Sequence, residues 1–251
     1  MKAMETVRAA REIRRARGND WIRGLLKYFM ELHGDREFAD DKAVIGGIGL
    51  LGDMPVTVIA QQKGKNPKEM KRRNFGMMKP EGYRKVMRLI GQAEKFGRPV
   101  ITLIDTPGAA CGREAEERNQ AGAVAACIGA FARLTVPSIS IIIGEGGSGG
   151  ALALGVTDEV WMLENSVYSI LSPEGFASIL WKDSSRAAEA AELMGLTAQE
   201  LRAGGFIDRV IPEDEDMFET VQRQLYERLK QLQGEEKEAR IERKYTKYRS
   251  M

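Results

Sequence analysis

The chain has 251 residues, of which 43% are hydrophobic and 29% are charged, and its formal net charge is only +2. This length allows a substantial hydrophobic core, and the nearly balanced charge gives no reason to expect a nucleic-acid partner. The charge-free stretches are shorter than the roughly 20 residues of a membrane-spanning helix, and the charged N-terminus has no apolar signal core, so we expect a cytoplasmic protein without a membrane partner.

The few cysteines and histidines limit the possible chemistry. Cys111 and Cys127 are the two cysteines and form no C-x-x-C motif, which argues against a disulfide framework or a zinc ribbon in this chain. His33 is the single histidine. A two-histidine metal site is therefore excluded and Ser-His-Asp catalysis is disfavoured, so we expect no metal here.

The first part of the chain predicts helices followed by a hairpin. Residues 1–33 are expected to form two helices separated near Gly18, with Asp20 capping the second. Two apolar runs, 43–51 and 55–62, predict an antiparallel hairpin because a short Gly-Asp-Met turn separates them. The second helix would carry four apolar side chains on one face: Trp21, Leu25, Phe29 and Leu32.

A basic segment without periodicity follows the hairpin. Residues 63–80 read KGKNPKEMKRRNFGMMKP, which predicts a long exposed loop. Long loops in compact domains are often functional. Two interpretations remain open, a mobile solvated loop or a contact for phosphates or an acidic partner.

The middle of the chain alternates strands and helices. This alternation predicts an α/β fold with parallel strand pairs and with loops gathered at the carboxyl ends of the strands. The predicted elements are helix 81–97, strand 99–105, helix 114–133, strand 137–143, and strands 158–163 and 167–171.

The last part of the chain continues this pattern and ends in a segment rich in charged residues. Thr197–Glu200 has the sequence of a capping box. The charged C-terminal segment is expected to fray or to lie on a partner. Because no linker is visible, we predict one domain, with a helical extension at 1–33, a core at 34–212, and a helix and charged tail at 213–251. The remaining predicted elements are helices from Ser172 and over 185–194, a strand at 206–211 and an amphipathic helix at 216–233.

Glycines dominate the segment after the strand at 137–143. Gly144–Gly150 reads GEGGSGG and precedes an Ala- and Leu-rich stretch, which predicts a strand, a glycine loop and a helix. Such a loop exposes backbone N–H groups at a helix start, where an anion or an oxyanion is stabilised. A P-loop is excluded because Ala151-Leu152 follows Gly150. A dinucleotide site fits the letters GEGGSG but is disfavoured by its position past the middle of the chain.

A second glycine-bearing loop, 108–113, follows the strand before. Consecutive parallel units place their loops side by side, so two sets of backbone N–H groups could face one cavity and stabilise an oxyanion. The alternative is that both sets of glycines serve close packing, and the two roles are compatible. Asp105 is expected to be structural, Glu145 to be an exposed loop acid or a holder of its loop, and Tyr168 to be a core residue.

Long motifs in this region carry a family resemblance. The order ITLIDTPG, AEER, RLTVP, IIGEGGSGGALALG and SPEG resembles the carboxyltransferase α subunits of bacterial acetyl-CoA carboxylases. The upstream stretches FMELHGDR, RNFGM and PEGYRK resemble the same family, so the match extends from about Phe29 to Pro212. More distantly, the glycine loop, the ALAL helix and Asp158 are similar to the crotonase fold. The resemblance implies a crotonase-like spiral of ββα units with helical N- and C-terminal extensions.

The resemblance also implies a reaction and its partners. Enzymes of this family transfer a carboxyl group from carboxybiotin, held on a biotin carboxyl carrier protein, to acetyl-CoA, and they form malonyl-CoA for fatty-acid biosynthesis. It implies a β subunit that bears the zinc ribbon and most CoA contacts, an α2β2 assembly, and an ATP-using biotin carboxylase in the wider complex. The biotin ureido nitrogen can take the acetyl proton, so no histidine base is required.

Site residues follow from this resemblance together with the two glycine loops and the basic segment. The backbone N–H groups of Gly112 and Arg113 would face biotin, and those of Gly146, Gly147, Gly149 and Gly150 would form the second set of donors. Lys71, Arg72 and Arg73 would contact CoA phosphates or the acidic carrier protein. The family usually has TPGAYPG where this chain has TPGAACG. Ala110 in place of tyrosine would enlarge the substrate pocket, and Cys111 in place of proline would loosen the loop. This departure indicates a paralogue for another acyl-CoA, a tolerated variation, or a non-catalytic scaffold that binds a β-like subunit. A stand-alone crotonase-like hydratase, isomerase or decarboxylase is a separate alternative.

Overall fold

A mixed β-sheet forms the centre of the fold in a computed structural model that describes residues 2–250. Within these residues the sheet has eight strands in the order β1-β2-β3-β4-β5-β6-β8, and β7 pairs with the end of β5. The strands are β1 (Lys27–Glu31), β2 (Val44–Leu51), β3 (Met54–Gln61), β4 (Val100–Thr106), β5 (Ser138–Gly147), β6 (Glu159–Leu163), β7 (Val167–Ser169) and β8 (Arg209–Ile211).

Helices cover both faces of this sheet. In the range 2–250, no helix has both the length and the apolar character that crossing a bilayer requires. Short 3₁₀ turns lie at Asn74–Gly76 and Ser184–Arg186. The helices are α1 (Ala3–Arg11), α2 (Gly18–Leu25), α3 (Pro67–Arg72), α4 (Pro80–Lys95), α5 (Arg113–Glu117), α6 (Gln120–Arg133), α7 (Ser148–Gly155), α8 (Pro173–Trp181), α9 (Ala187–Leu193), α10 (Ala198–Ala203), α11 (Met217–Gly234) and α12 (Lys237–Ser250).

Strand residues are buried on both faces of the sheet. Ile142 of β5 packs in the cluster beneath α4, α6 and α7, whereas its neighbours Ile141 and Ile143 pack in the cluster beneath α2 and α11. Continuous apolar strands of this kind are typical of parallel sheets covered by helices on both sides. The predicted hairpin is confirmed as β2–β3, and the pairs β3–β4, β4–β5, β5–β6 and β6–β8 are parallel, as the α/β prediction requires.

The second N-terminal helix is shorter than predicted. It ends at Leu25, and Phe29 lies instead in β1, which pairs antiparallel with β2. Asp20 is the third residue of the helix and accepts a hydrogen bond from the Arg17 N–H at 2.8 Å, so it is not the residue that precedes the helix. The apolar periodicity that predicted a longer helix was misleading. The free edge of β2 needs backbone hydrogen-bond partners, and residues 27–31 supply them as a strand.

The basic segment 63–80 is largely ordered structure rather than an exposed loop. Asn66 caps α3 by accepting a hydrogen bond from the Glu69 N–H at 2.9 Å, and Pro67 occupies the first turn. Lys63 and Met78 are buried. The Asn-Pro pair is a helix-start signal, and it outweighs the missing periodicity in so short a helix.

The helix predicted over 114–133 is divided into α5 and α6. Asn119 lies between them in the left-handed region, with φ 63°, and its side chain accepts a hydrogen bond from the Gly122 N–H at 3.2 Å. Asparagine tolerates this conformation and caps the helix that follows, which is the physical reason for the break.

The charged C-terminal segment does not fray. It forms α12, in which Lys244 is buried and donates to the carbonyl oxygens of Phe131 at 3.0 Å and Leu134 at 2.9 Å. Burial lowers the pKa of Lys244. The last carbonyls of a helix such as α6 have no partners within the helix and favour cations, so α12 binds its own chain there.

Candidate functional site

The candidate site lies where β4 and β5 end at the same edge of the sheet. A Cβ atom added to Gly147 would lie 2.2 Å from the Pro107 carbonyl oxygen, and one added to Gly150 would lie 2.4 Å from the Gly108 carbonyl carbon. The loop after β4 and the segment after β5 are therefore in direct backbone contact, as two consecutive parallel units predict. Glycine is required at both positions for this approach.

The glycine-rich segment is not a loop. β5 continues through Gly147, and α7 begins at Ser148, whose φ of 52° lies in the left-handed region. Gly149 and Gly150 therefore belong to the first turn of α7. The first N–H groups of a helix have no partners within the helix, so Gly149 and Gly150 stay candidates for backbone donors. Gly146 and Gly147 lie instead in β5, where they pair with Tyr168 and Ser169 of β7.

A bulge in β5 precedes these glycines. Ile104 of β4 pairs with Ile142, but Thr106 pairs with Gly146, so Asp105 alone faces three residues of β5. The Asp105 Oδ1 accepts a hydrogen bond from the Glu145 N–H at 3.1 Å, and a Cβ atom on Gly144 would lie 2.5 Å from the same oxygen. Bulges redirect a strand and are frequent beside functional sites.

Asp105 is a buried carboxylate with two cations. Arg17 Nη1 lies 2.7 Å from its Oδ2, and Lys63 Nζ lies 3.0 Å from its Oδ1. Burial alone would raise the pKa of Asp105, but the charges of Lys63 and Arg17 hold it below its usual value. Asp105 therefore remains ionised at neutral pH, in the structural role that the sequence predicted.

Glu145 is not an exposed loop acid. Only 13% of its side chain is accessible, and it forms ion pairs with Lys63 and with Arg11 Nε, the latter at 2.7 Å. Arg11 also contacts Glu174 at the start of α8, with Nη1 2.7 Å from Oε1. Arg11 thus joins the end of β5 to the start of α8, and both carboxylates raise its pKa despite its partial burial.

Sequence reasoning missed the cations in this cluster. Arg11, Arg15 and Arg17 lie in a stretch that reads as a solvated helix, and Lys63 begins a basic segment. Arg15 Nε donates to the Ile143 carbonyl at 2.6 Å, inside the bulge. No local signal could have found these residues, because their partners lie far away in sequence.

An apolar cavity of about 590 Å³ opens beside the first turn of α7. Ser148 and Gly149 form part of its wall. Tyr168, which was expected in the core, is mostly buried but also lines the cavity, and burial raises its pKa to about 12. Large side chains from four helices and from the segment after β7 also line it: Leu152, Ile170, Phe176, Leu193 and Tyr248.

The loop after β4 holds the other predicted site residues. Ala110 is buried and its N–H donates to the Met78 carbonyl at 3.0 Å, whereas Cys111 is exposed. Gly112 has φ 113°, which favours glycine, and it directly precedes α5. The Arg113 side chain is 90% exposed and pairs with Glu117 at 2.6 Å. The backbone N–H groups of Gly112 and Arg113 therefore lie at a helix start, as those of Gly149 and Gly150 do in α7.

The basic residues of α3 lie near the same edge of the sheet. The turn after α3 reaches Asp105, since a Cβ atom on Gly76 would lie 2.8 Å from the Asp105 carbonyl oxygen. Lys71 and Arg72 are exposed. Arg73 is already engaged within the chain, because it pairs with Glu69 at 3.1 Å and donates to the Lys42 carbonyl at 3.0 Å.

Comparison with known proteins identifies the family. The family model described as acetyl co-enzyme A carboxylase carboxyltransferase-like matches residues 1–251. The chain belongs to this carboxyltransferase family. It is 54% identical over 247 residues to the acetyl-coenzyme A carboxylase carboxyl transferase subunit alpha of Streptococcus equi subsp. zooepidemicus, covering 97% of this chain and 96% of that protein. The alpha subunit of Clostridium perfringens (strain ATCC 13124) is 51% identical over 257 residues, covering 99% of this chain and 95% of that protein.

A fused relative and two solved structures extend the comparison. The carboxyl transferase subunits beta/alpha protein of Natranaerobius thermophilus is 51% identical over 255 residues, which are 98% of this carboxyltransferase chain and 42% of that protein. Transcarboxylase 12S has a TM-score of 0.76 at 17% identity, covering 92% of this chain and 44% of that one. A Pseudomonas malonate decarboxylase hetero-tetramer has a TM-score of 0.73 at 19% identity, covering 91% of this chain and 92% of that one. The predicted crotonase-like α/β fold is confirmed.

Proposed function

We propose that this chain is the α subunit of the carboxyltransferase of a cytoplasmic acetyl-CoA carboxylase. It would transfer a carboxyl group from carboxybiotin on a carrier protein to acetyl-CoA and form malonyl-CoA for fatty-acid biosynthesis. The observation that carries this proposal is the nearly full-length match, at 54% identity, to a protein named as that subunit. The contact between the two glycine segments beside an apolar cavity supports the same chemistry.

The chemistry requires donors for negative charge. Acetyl-CoA must lose a proton from its methyl carbon, which places an enolate charge on the thioester oxygen. The N–H groups of Gly146, Gly147, Gly149 and Gly150 would stabilise this charge, and those of Gly112 and Arg113 would hold the ureido oxygen of biotin. Carboxybiotin supplies the carboxyl group and the base. In other enzymes, removal of one such donor costs about 3–4 kcal/mol of transition-state stabilisation.

Family membership implies a β subunit as partner, and the fused relative is named for both subunits. We propose that the β subunit covers the apolar cavity, because the exposed side chains of Ile170 and Leu193 line it. Helix α8, which contributes Phe176 to its wall, also exposes Ile179 and Leu180. Apolar patches of this kind mark protein interfaces. The β subunit would bring the zinc ribbon and most CoA contacts into an α2β2 assembly, which works with the biotin carboxyl carrier protein and biotin carboxylase.

The basic residues Lys71 and Arg72 are accessible to an anionic partner, and Arg72 Nη2 makes a long contact of 3.9 Å with Glu69 Oε1. Both are exposed on α3, near the edge of the sheet that carries the glycine segments. We assign them to CoA phosphates or to the acidic carrier protein. Arg73 contributes less, because its guanidinium already contacts Glu69 and the Lys42 carbonyl.

The test is reconstitution of carboxyl transfer. The chain is purified alone and with its cognate β subunit, and malonyl-CoA is measured with carboxybiotin as donor and acetyl-CoA as acceptor. We expect activity that depends on the β subunit. Longer acyl-CoAs are compared because Ala110 and Cys111 differ from the usual Tyr and Pro. Turnover without a partner, or no product with any acyl-CoA, would refute the proposal.

A further inference from the structure

The bulge in β5 sets the position of the proposed oxyanion donors. Without it, the pairing of Ile104 with Ile142 would continue to Thr106 and Gly144, whereas Thr106 pairs with Gly146. The extra two residues correspond to about 7 Å along a strand. The bulge therefore decides which glycines reach the loop after β4. Even a displacement near 1 Å at a reacting centre can reduce a rate about a hundredfold.

Side chains rather than a regular ladder hold this bulge. The Glu145 N–H donates to Asp105 Oδ1 at 3.1 Å, and the Ile143 carbonyl accepts from Arg15 Nε at 2.6 Å. The Asp105 N–H itself donates to Gln61 Oε1 at 3.1 Å. The register of β5 is consequently tied to the place and charge of one buried carboxylate, Asp105.

Lys63 joins the two acids of the bulge. Among residues 2–250, it is the one cation that contacts both Asp105, at 3.0 Å, and Glu145. Its side chain is only 6% exposed, so solvent screens these contacts weakly. Arg17 and Arg11 each contact one of the acids. Loss of the Lys63 charge would leave two neighbouring carboxylates that repel each other in a buried place.

We propose, on the basis of the proposed function, that Lys63 is a positioning residue for carboxyl transfer. By bridging Asp105 and Glu145 it holds the β5 bulge in the register that presents Gly146–Gly150 to the substrate. Lys63 does not contact the reacting atoms in this scheme. It acts through the backbone, so its loss affects turnover more than substrate affinity.

The test compares Lys63→Met with Lys63→Arg in the complex with the β subunit. We expect Lys63→Met to lower kcat by 10- to 100-fold with KM for acetyl-CoA changed less than threefold. Lys63→Arg restores the charge and should recover most of kcat. Lys85→Met is the matched control. Lys85 lies on α4, is also buried, and pairs with Asp40 at 2.9 Å. It should lose stability but keep kcat per folded molecule.

Hydrogen exchange provides a readout that does not depend on activity. Amides of residues 144–152 should exchange at least tenfold faster in Lys63→Met and remain unchanged in Lys85→Met. If the wild-type complex forms no malonyl-CoA, the proposed function fails, while this exchange pattern still decides whether Lys63 holds the bulge. Unchanged kcat and unchanged exchange in Lys63→Met would overturn the inference.

A second variant covers the case in which Lys63→Met does not fold. Glu145→Gln keeps the size of a partly accessible side chain and removes one of the two charges that Lys63 bridges. It should lower kcat and increase exchange over residues 144–152, to a smaller extent than Lys63→Met. Wild-type values of both quantities in Glu145→Gln would contradict the inference.

Discussion

At the scale of single residues, the glycines of the site serve different purposes. Gly147 and Gly150 allow two backbone segments to touch, since an added Cβ would lie 2.2 Å and 2.4 Å from backbone atoms. An added Cβ on Gly149 would meet only Val124 Cγ1, at 3.4 Å. Packing therefore requires glycine at Gly147 and Gly150 but not at Gly149.

This difference gives a prediction about stability. Gly150→Ala should lower the free energy of unfolding by about 1–3 kcal/mol, because the new methyl group forces two backbone segments apart. Gly149→Ala is the matched variant, in the same turn of α7, and should change it by less than about 1 kcal/mol. Urea denaturation of both variants measures these values. Equal losses in the two variants would contradict the packing role of Gly150.

At the scale of elements, partners distant in sequence decided the boundaries that local patterns could not. Helix α2 ends early because β2 needs a partner strand, and α12 is ordered because α6 ends beneath it. Tyr248 of α12 also holds the end of α7. Its hydroxyl donates to the Gly155 carbonyl at 2.7 Å and accepts from the Thr157 N–H at 3.1 Å. Helix α12 therefore supports the helix that carries the proposed donors.

The second prediction tests this support. Tyr248→Phe should lower the free energy of unfolding by about 0.5–1.5 kcal/mol, because it removes hydrogen bonds to the Gly155 carbonyl and the Thr157 N–H, which keep their bond to each other at 2.9 Å. Tyr245→Phe in the same helix is the control, since Tyr245 is 54% exposed and its hydroxyl accepts from the exposed Arg249 side chain. Its effect should stay within about 0.5 kcal/mol. Thermal and urea denaturation distinguish the two, and a stable Tyr248→Phe would argue against the role of α12.

At the scale of the whole molecule, the apolar cavity and its exposed rim indicate a surface that a partner covers. Ile179 and Leu180 are 67% and 57% exposed on α8. Large apolar side chains clustered around a cavity are costly to leave in water, and their burial drives association. Because α7 and α8 both line the cavity, a β subunit bound on this surface would lie beside the candidate site.

The third prediction concerns this interface. The double variant Ile179→Asp and Leu180→Asp should weaken association with the β subunit by at least tenfold, because the new carboxylates would be desolvated in the interface. Phe96→Asp is the control, since Phe96 is 60% exposed but lies at the end of α4, away from the cavity. Analytical ultracentrifugation of the mixed subunits measures the change. Equal binding by the double variant would place the β subunit elsewhere.

The sequence by itself determined the α/β alternation, the β2–β3 hairpin, the family and the two glycine segments at the ends of β4 and β5. These features depend on local periodicity, turn residues and long motifs, which a single chain displays directly. Only the tertiary structure decided that β5 extends through Gly147, that it bulges at Asp105, and that Lys63, Arg11, Arg15 and Arg17 hold this bulge. The physical reason is that buried charges are placed by partners from distant segments, and those partners meet only when the chain has folded.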